Sequence, residues 1–463
     1  MRRALPLFAI LFAACATART PTVAQRIETI ISRPRLDGAI WGIDVVDDAG
    51  RTIYARNEKT LMIPASNRKL FAAATVASCE GLDRRIPTEL WRDGDDLLIR
   101  GGGDPSLGGR WAFDRDAVFA PFVAALRARG IAEVGDVVAD VSMFDRVTIP
   151  GSWKVGNLGS DYAVPTDALA YNENVVGVVA DHCAKPVVVT DPSFVPAMAN
   201  VSCGKGEPVV RSDASNTVTI NGTMAEHFQT LIGIGNPALY AAQALVDALH
   251  HAGIRVSGTT RVAWERGRPA RIGGTAGGTP AVPGEERIAV IESPPLWQLL
   301  SVVLKPSQNL YAEMLFKGLS AGAQPASYDA SEEIERRFLT TEAGIANSDF
   351  RFVDGCGLSP DDLVAPRAIV TLLRWMNEPV RRAIWSMMLA SPGEEGTLRR
   401  RLLPFAGRLH GKTGSINGVN ALSGIIDGPN GTHRYFSIII NHNAGDSSEA
   451  LKAIDAIVAE IAQ

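Results

Sequence analysis

The spacing of apolar positions divides the chain into stretches of different texture. Met1-Arg2-Arg3 makes a short positive start, Leu5 to Ala14 is a ten-residue apolar run, and small residues follow at Ala14, Cys15, Ala16 and Ala18. That is the pattern of a secretory signal peptide over residues 1–18, and the run is too short to span a bilayer as a helix. Gly42 to Asn57 reads as two short strands around Asp47-Asp48-Ala49-Gly50, which predicts a hairpin. Leu70 to Ala77 is almost entirely apolar or small and predicts a buried helix. From about residue 86, strand patterns such as Asp96–Ile99, Val137–Val141, Val187–Thr190 and Thr217–Ile220 alternate with Gly-rich turns. Helices are predicted within this region over 114–129 and 238–251. Gly and Pro crowd residues 267–284, which reads as a connection.

Helical patterns return at 294–304, 307–321, 329–343 and 366–377. Two strands follow, Asn420–Ile426 and Tyr435–Ile440, separated by a Gly-Pro-Asn-Gly turn at 428–431. A last helix over 447–462 places Leu451, Ile454, Ile457, Val458 and Ile461 on one face, with Asp446 and Glu449 resembling a capping box. No internal repeat interrupts this order.

Composition narrows the classes. With 463 residues, the length prior favours two or three domains. The chain is 46% hydrophobic and 21% charged, ordinary for a soluble globular protein. Its net charge of −4 provides no basic excess for a polyanion, so nucleic acid is not an expected partner. No stretch after the first twenty residues reaches eighteen apolar positions. The mature chain is therefore expected in the periplasm or secreted, with a lipoprotein anchor at Cys15 as the alternative ending of the signal (Phe12-Ala13-Ala14-Cys15). Export permits disulfides among Cys79, Cys183, Cys203 and Cys356. A local Cys183–Cys203 bridge is the leading candidate, a Cys79–Cys356 pair is a second, and free buried thiols are the alternative. No CxxC and no clustered His/Cys ligands occur, so no metal or cofactor is expected.

Three motifs carry chemistry. In Ser66-Asn67-Arg68-Lys69, positions i and i+3 share a helix face, so the Ser66 hydroxyl and the Lys69 amine can meet. Serine needs a nearby base to become a nucleophile, and a lysine of depressed pKa can serve. Ser202-Cys203-Gly204-Lys205 has the same spacing but lies in a Gly/Cys/Pro loop with no helix to fix it. Ser307-Gln308-Asn309 follows Pro306 and opens a helix; its serine can relay a proton, and its amide can hold a substrate carbonyl or a catalytic lysine. His410-Gly411-Lys412-Thr413-Gly414-Ser415 reads as an edge strand, able to pair with an extended peptide. There Lys412 supplies positive charge near the nucleophile, Thr413 can hydrogen-bond a carboxylate, and Gly414 leaves room for substrate against the backbone. A Lys-Thr/Ser-Gly match is expected by chance only about 0.1 times in such a chain, which makes this motif the most specific of the three.

SxxK, SxN and KTG in this order are shared by penicillin-binding proteins and β-lactamases. The sequence resembles the D-alanyl-D-alanine carboxypeptidase/endopeptidase family of class C low-molecular-mass penicillin-binding proteins. The resemblance rests on Pro64-Ala65-Ser66-Asn67-Arg68-Lys69-Leu70, Gly101–Leu107 (GGGDPSL), Asn172-Glu173-Asn174, Ser307–Glu313 (SQNLYAE), Asp354–Ser359 (DGCGLS) and Gly396-Thr397-Leu398. Gln308 stands where this family usually has Asp or Asn, and Cys356 where it usually has Ser. The interval from Ser66 to Ser307 is 241 residues and from Ser307 to Lys412 is 105; a long first interval resembles class C members, which insert domains there. Between residues 310 and 411 no Glu is followed four residues later by Asn, so the deacylating Glu-x-x-x-Asn loop of class A β-lactamases is absent.

The resemblance implies an α/β (α+β) fold: a penicilloyl serine transferase, β-lactamase-like domain. Its five-stranded antiparallel sheet is flanked by helices and interrupted by a nested β-rich insertion. The domains implied are a split catalytic domain, 19–85 with 290–463; a second domain, 86–175 with 266–289; and a nested third, 176–265. It implies serine acyl transfer on peptidoglycan stem peptides, with β-lactams as acylating mimics. Ser66 would attack and Lys69 accept its proton, while Ser307 would pass a proton to the leaving amine. Lys412, Thr413 and Gly414 would bind the terminal carboxylate end, Asn309 the acyl-side amide, and the backbone N–H groups of Ser66 and Ser415 would form an oxyanion hole. The other readings are a β-lactamase or esterase with the same motifs, which would turn penicillin over promptly, and a non-catalytic cell-wall-binding or β-lactam-sensing module.

Overall fold

The computed structural model describes residues 21–33, 36–111, 115–265, 284–322, 324–443 and 447–463. The signal segment with Cys15, nearly all of the 267–284 connection and Asp446 lie outside the described residues.

Five antiparallel strands form the sheet that carries the site, in the order Leu409–Ile416, Val419–Asp427, His433–Asn441, Ile40–Asp47, Thr52–Arg56. Its register aligns Thr413, Leu422, Ile438 and Ile43 in one row and Lys412, Ser423, Ser437 and Asp44 in the next. Directly opposed residues share a face, and alternate rows point to opposite faces. The row of Ile43, Ile438 and Leu422 therefore belongs to an apolar face, packed with Ile27, Ile454, Ile457 and Val458 from the helices Val23–Ile31 and Ser447–Ile461. The other face carries Ala421, Ile425, Tyr435 and Ile439 against Leu70, Phe71, Ile369 and Leu373 from Arg68–Glu80 and Pro366–Met376. The result is helix, sheet, helix, with a buried polar row running under the second helical layer.

A second five-stranded sheet is mixed, in the order Thr260–Ala263, Val137–Asp140, Asp96–Gly101, Pro87–Asp93, Glu285–Glu292. Two three-stranded sheets follow in the middle of the chain, one of 209–212, 218–224 and 197–203 and the other of 227–233, 175–181 and 187–191. A disulfide joins Cys183 to Cys203 and so links the two small sheets. Cys79 and Cys356 do not pair: both are free, Cys79 exposed and Cys356 buried.

Local chemistry moves several predicted boundaries. The 114–129 helix is a short 3-10 turn, Arg115–Phe119, followed by the α-helix Ala120–Ala128. Pro121 stands in the first turn of the latter, where its missing N–H costs nothing, and it could not stand in a helix interior. The helix predicted from 307 begins at Asn309, because Ser307 sits at φ +69°. On the last helix Leu451 is only partly covered; Ala450 and Ala453 complete the buried face instead.

Candidate active site

Ser66 lies in a 3-10 turn, Ala65–Asn67, that runs directly into the helix Arg68–Glu80. The turn is anchored on both sides. Asn67 Nδ2 donates to Ser423 Oγ at 2.8 Å, and Ser423 Oγ is 3.0 Å from Ser437 Oγ, so the polar row of the sheet holds the nucleophile turn. Arg68 is fully buried and forms a two-pronged ion pair with Glu335 at 2.7 and 2.8 Å. Its Nε donates to the Asp354 carbonyl at 2.8 Å, and its guanidinium lies over the Phe352 ring at 4.0 Å. Ala65 occupies the left-handed region at φ +48°. With Ser307 at φ +69°, two non-glycine residues of the site hold a conformation that costs free energy and persists only where surroundings enforce it.

Lys69 is fully buried, and three oxygens surround its amine: Ser66 Oγ at 2.8 Å, Asn309 Oδ1 at 2.6 Å and the Cys356 carbonyl at 2.8 Å. Asn309 Nδ2 donates to the Tyr162 carbonyl at 2.7 Å, which fixes the amide so that its oxygen faces the lysine. Two of the three oxygens can only accept. A neutral amine has two N–H bonds and one lone pair, so those two acceptors leave the lone pair for the Ser66 hydroxyl. Burial pushes the Lys69 amine below the ordinary lysine range, while the charges of Cys356, Asp354, Glu313 and Asp362 hold back part of that shift.

The loop that presents the Cys356 carbonyl is itself held by Asp354. Its carboxylate accepts from the backbone N–H groups of Cys356, Gly357 and Ser359 and from Trp153 Nε1, all at 2.7 to 3.0 Å. Glu313 Oε1 accepts from Gly355 N at 2.9 Å, and burial pushes its carboxyl up to about 7. Gly357, at φ +83°, passes so close to the nucleophile turn that a Cβ would lie 2.0 Å from the Ala65 carbonyl oxygen.

Lys412 is fully buried on the edge strand; its amine donates to Ser307 Oγ at 2.7 Å and to the Thr413 carbonyl at 2.8 Å. Burial, then the nearby Lys69, pushes it well below the usual lysine range. Thr413 Oγ1 donates to Thr397 Oγ1 at 2.8 Å, which brings Gly396-Thr397-Leu398 to the strand. Gly414 turns out to face the nucleophile turn: a Cβ there would stand 2.8 Å from the Pro64 carbonyl and 3.1 Å from Ser66 N. Its lack of a side chain serves the fit of strand to turn. Gly414→Ala is expected to cut the acylation rate by up to about a hundredfold, read in stopped-flow labelling, because a misplacement of about 1 Å costs on that order. An unchanged rate would contradict this packing account.

Ser66 opens into a cleft of about 620 Å³, with Asn309 and Ser415 also on its wall. The structure thus brings Ser66, Lys69, Ser307, Asn309, Lys412, Thr413, Gly414 and Ser415 to one place, whereas the Ser202–Lys205 match runs off the end of the strand Ala197–Cys203 and no helix follows it. The other stretches on which the resemblance rests play supporting parts. Asn172-Glu173-Asn174 holds three successive left-handed residues, and Glu173 accepts from Gln308 Nε2 and pairs with Arg110. The GGGDPSL stretch is a packing junction: a Cβ on Gly101 would lie 2.3 Å from the Ala168 carbonyl and one on Gly102 2.1 Å from that of Pro87. Asn309 Oδ1 is engaged by Lys69, one of the two roles its amide was expected to fill.

A sheet flanked by helices, with a serine beside a buried lysine amine and a second serine hydrogen-bonded to a lysine of the edge strand, defines the class of serine acyl-transferring hydrolases with the β-lactamase-like fold. The chain matches the D-Ala-D-Ala carboxypeptidase 3 (S13) family over residues 23–461 and belongs to that family. It is 30% identical to a D-alanyl-D-alanine carboxypeptidase of an Actinomadura species, over 96% of this chain and 85% of that one. It is 25% identical to the D-alanyl-D-alanine carboxypeptidase DacB of Haemophilus influenzae, over 86% of this chain and 84% of that one. The crystal structure of penicillin binding protein 4 (dacB) from Haemophilus influenzae shares the fold, with a TM-score of 0.81 at 22% identity, covering 94% of this chain and 99% of that one. A second structure of that protein, complexed with a β-lactam, has a TM-score of 0.75 at 21% identity. The chain is therefore a serine hydrolase of the D-Ala-D-Ala carboxypeptidase type.

Proposed function

We propose that the chain hydrolyses the D-alanyl-D-alanine bond of peptidoglycan stem peptides, as a carboxypeptidase and, where that bond is a cross-link, as an endopeptidase. The observation that carries the reading is the environment of the Lys69 amine, whose two acceptor-only neighbours reserve its lone pair for Ser66. Ser66 Oγ attacks the carbonyl carbon of the penultimate D-alanine while its proton passes to Lys69. The oxyanion that forms faces the backbone N–H groups of Ser66 and Ser415, favoured by the contact between Gly414 and the nucleophile turn. The C–N bond then breaks; Ser307 gives its hydroxyl proton to the leaving amine and regains one from the Lys412 ammonium to which it is hydrogen-bonded, while the proton taken by Lys69 returns to the Ser66 oxygen when water releases the acyl group. Lys412 and Thr413 hold the terminal carboxylate; an anion arriving beside Lys412 favours its charged form and offsets the downward push of burial. Water hydrolyses the acyl-enzyme and restores Ser66. A β-lactam presents the same acyl chemistry without a departing amine and leaves Ser66 acylated.

The split catalytic domain with nested insertions belongs to this proposal, supported by strands on both sides of the insertion that share sheets. So does export by residues 1–18; among the described residues no helix is long and apolar enough to cross a membrane.

Release of D-alanine from a muramyl pentapeptide tests the reading: wild type should release it and Ser66→Ala should not. Equal release by both would overturn it. The pH dependence follows from Lys69. It accepts a proton only when neutral, so the acylation rate should rise with pH through its pKa. Because burial lowers that pKa, the rise should lie below the ordinary lysine range. A rate that falls over the same range would contradict Lys69 as base.

A further inference from the structure

Ser307 must bring its hydroxyl to the nitrogen that leaves, yet its backbone stands at the costly φ of +69°. The next residue ties it down. Gln308 N donates to the Val302 carbonyl at 3.2 Å, and Gln308 Oε1 accepts from Leu310 N at 3.1 Å, capping the helix Asn309–Gly318. The other end of the same amide reaches a residue 135 positions away in sequence: Nε2 donates to Glu173 Oε2 at 2.5 Å. Glu173 is itself gripped. Its carboxylate accepts from Nε and Nη2 of Arg110, the latter at 3.1 Å, and its side chain is only 19% exposed. Its backbone belongs to the left-handed run Asn172, Glu173 and Asn174, at φ +48°, +55° and +56°. That run is locked by Asn172 N on the Leu107 carbonyl at 2.8 Å, Tyr171 N on Asn174 Oδ1 at 3.2 Å and Asn174 Nδ2 on the Pro165 carbonyl at 3.0 Å. Three successive non-glycine residues persist in this region only where the surroundings over-determine them. The strained turn thus aims one carboxylate at Gln308. A bond from an amide to an ionised acceptor is roughly twice as strong as a neutral one, and Arg110 fixes the orientation of that acceptor.

We propose that Glu173 is a positioning residue for the proton relay: through Gln308 it holds the Ser307 turn, so that Ser307 Oγ stays between the Lys412 amine and the leaving nitrogen. This rests on the peptidase reading above, in which Ser307 gives the leaving amine its proton. Glu173 makes and breaks no bond of the substrate; it acts through its neighbour, and its effect should depend on whether the leaving atom needs a proton.

Two acyl donors with the same acyl half test it. One ends in D-alanyl-D-alanine; in the other a thioglycolate sulfur replaces the nitrogen that leaves. An amide nitrogen needs a proton to depart, whereas sulfur departs as the thiolate without one. In Glu173→Ala, kcat/KM, which reports acylation, should fall by about tenfold on the amide and by less than about twofold on the thioester. Ser307→Ala should show the same selectivity with a larger loss on the amide, about a hundredfold. Glu173→Ala added to Ser307→Ala should bring no further loss on the amide. Glu173→Gln, which keeps the shape and an acceptor for Gln308, should retain most of the wild-type amide rate. No loss in Glu173→Ala, an equal loss on both donors, or a further loss in the Ser307→Ala background would overturn the inference, since a merely structural role does not distinguish the leaving atoms. Equal loss on both donors in Ser307→Ala itself would overturn the proton-donor reading of Ser307 first, so the two failures are distinguishable.

Discussion

Lys69→Met should lower the rate of acylation, by peptide or β-lactam, by about a thousandfold, within the range that general acid–base groups contribute. The methionine keeps an unbranched side chain of similar length in a fully buried position, so the helix and its packing should persist. Lys69→Arg should lose as much. A guanidinium retains the charge but stays protonated at every accessible pH, so it cannot accept the Ser66 proton. The pair of variants separates a base from a mere cation. Stopped-flow acylation with a chromogenic cephalosporin reads both, and substantial activity in Lys69→Arg would contradict the assignment.

The second large effect is on stability. Arg68 and Glu335 are both fully buried, and their two-pronged pair ties the nucleophile helix to the helix Tyr328–Thr341. Arg68→Met should leave the Glu335 carboxylate buried without its partner and cost roughly 3–5 kcal/mol. The doubly apolar Arg68→Met/Glu335→Leu variant should recover much of the loss, because a buried pair is expensive to break and often cheap to replace. Urea unfolding followed by tryptophan fluorescence measures both. A single variant within about 1 kcal/mol of wild type would mean that the pair contributes little.

The contrast between these two sites shows what the sequence made legible. Ser66 and Lys69 are one helical turn apart, so local periodicity alone brought them together. Lys412 on an edge strand followed from the short strand patterns near the end of the chain. Arg68 sits between Ser66 and Lys69, yet its partner Glu335 lies 267 residues away, and no local pattern links them. The same holds for the Cys356 carbonyl, 287 residues from Lys69: a backbone oxygen has no signature in composition, although the stretch Asp354–Ser359 stood out by resemblance. The carbonyl of Tyr162, which orients Asn309, carried no signal at all. Gly414 shows a different limit. Its need for a missing Cβ was legible, but the close approach of the Ser66 turn to it is a property of tertiary packing. The helix starting at Asn309 rather than Ser307 belongs here too, since a left-handed serine is enforced by its surroundings and not by its neighbours in sequence.

The central claim is that Ser66 becomes covalently acylated with Lys69 as its base. Peptide mapping by mass spectrometry after incubation with benzylpenicillin tests it most directly. One penicilloyl adduct is expected, on the peptide containing Ser66, absent in Ser66→Ala and slowed by orders of magnitude in Lys69→Met. An adduct on any other residue, or one that survives in Ser66→Ala, would contradict it.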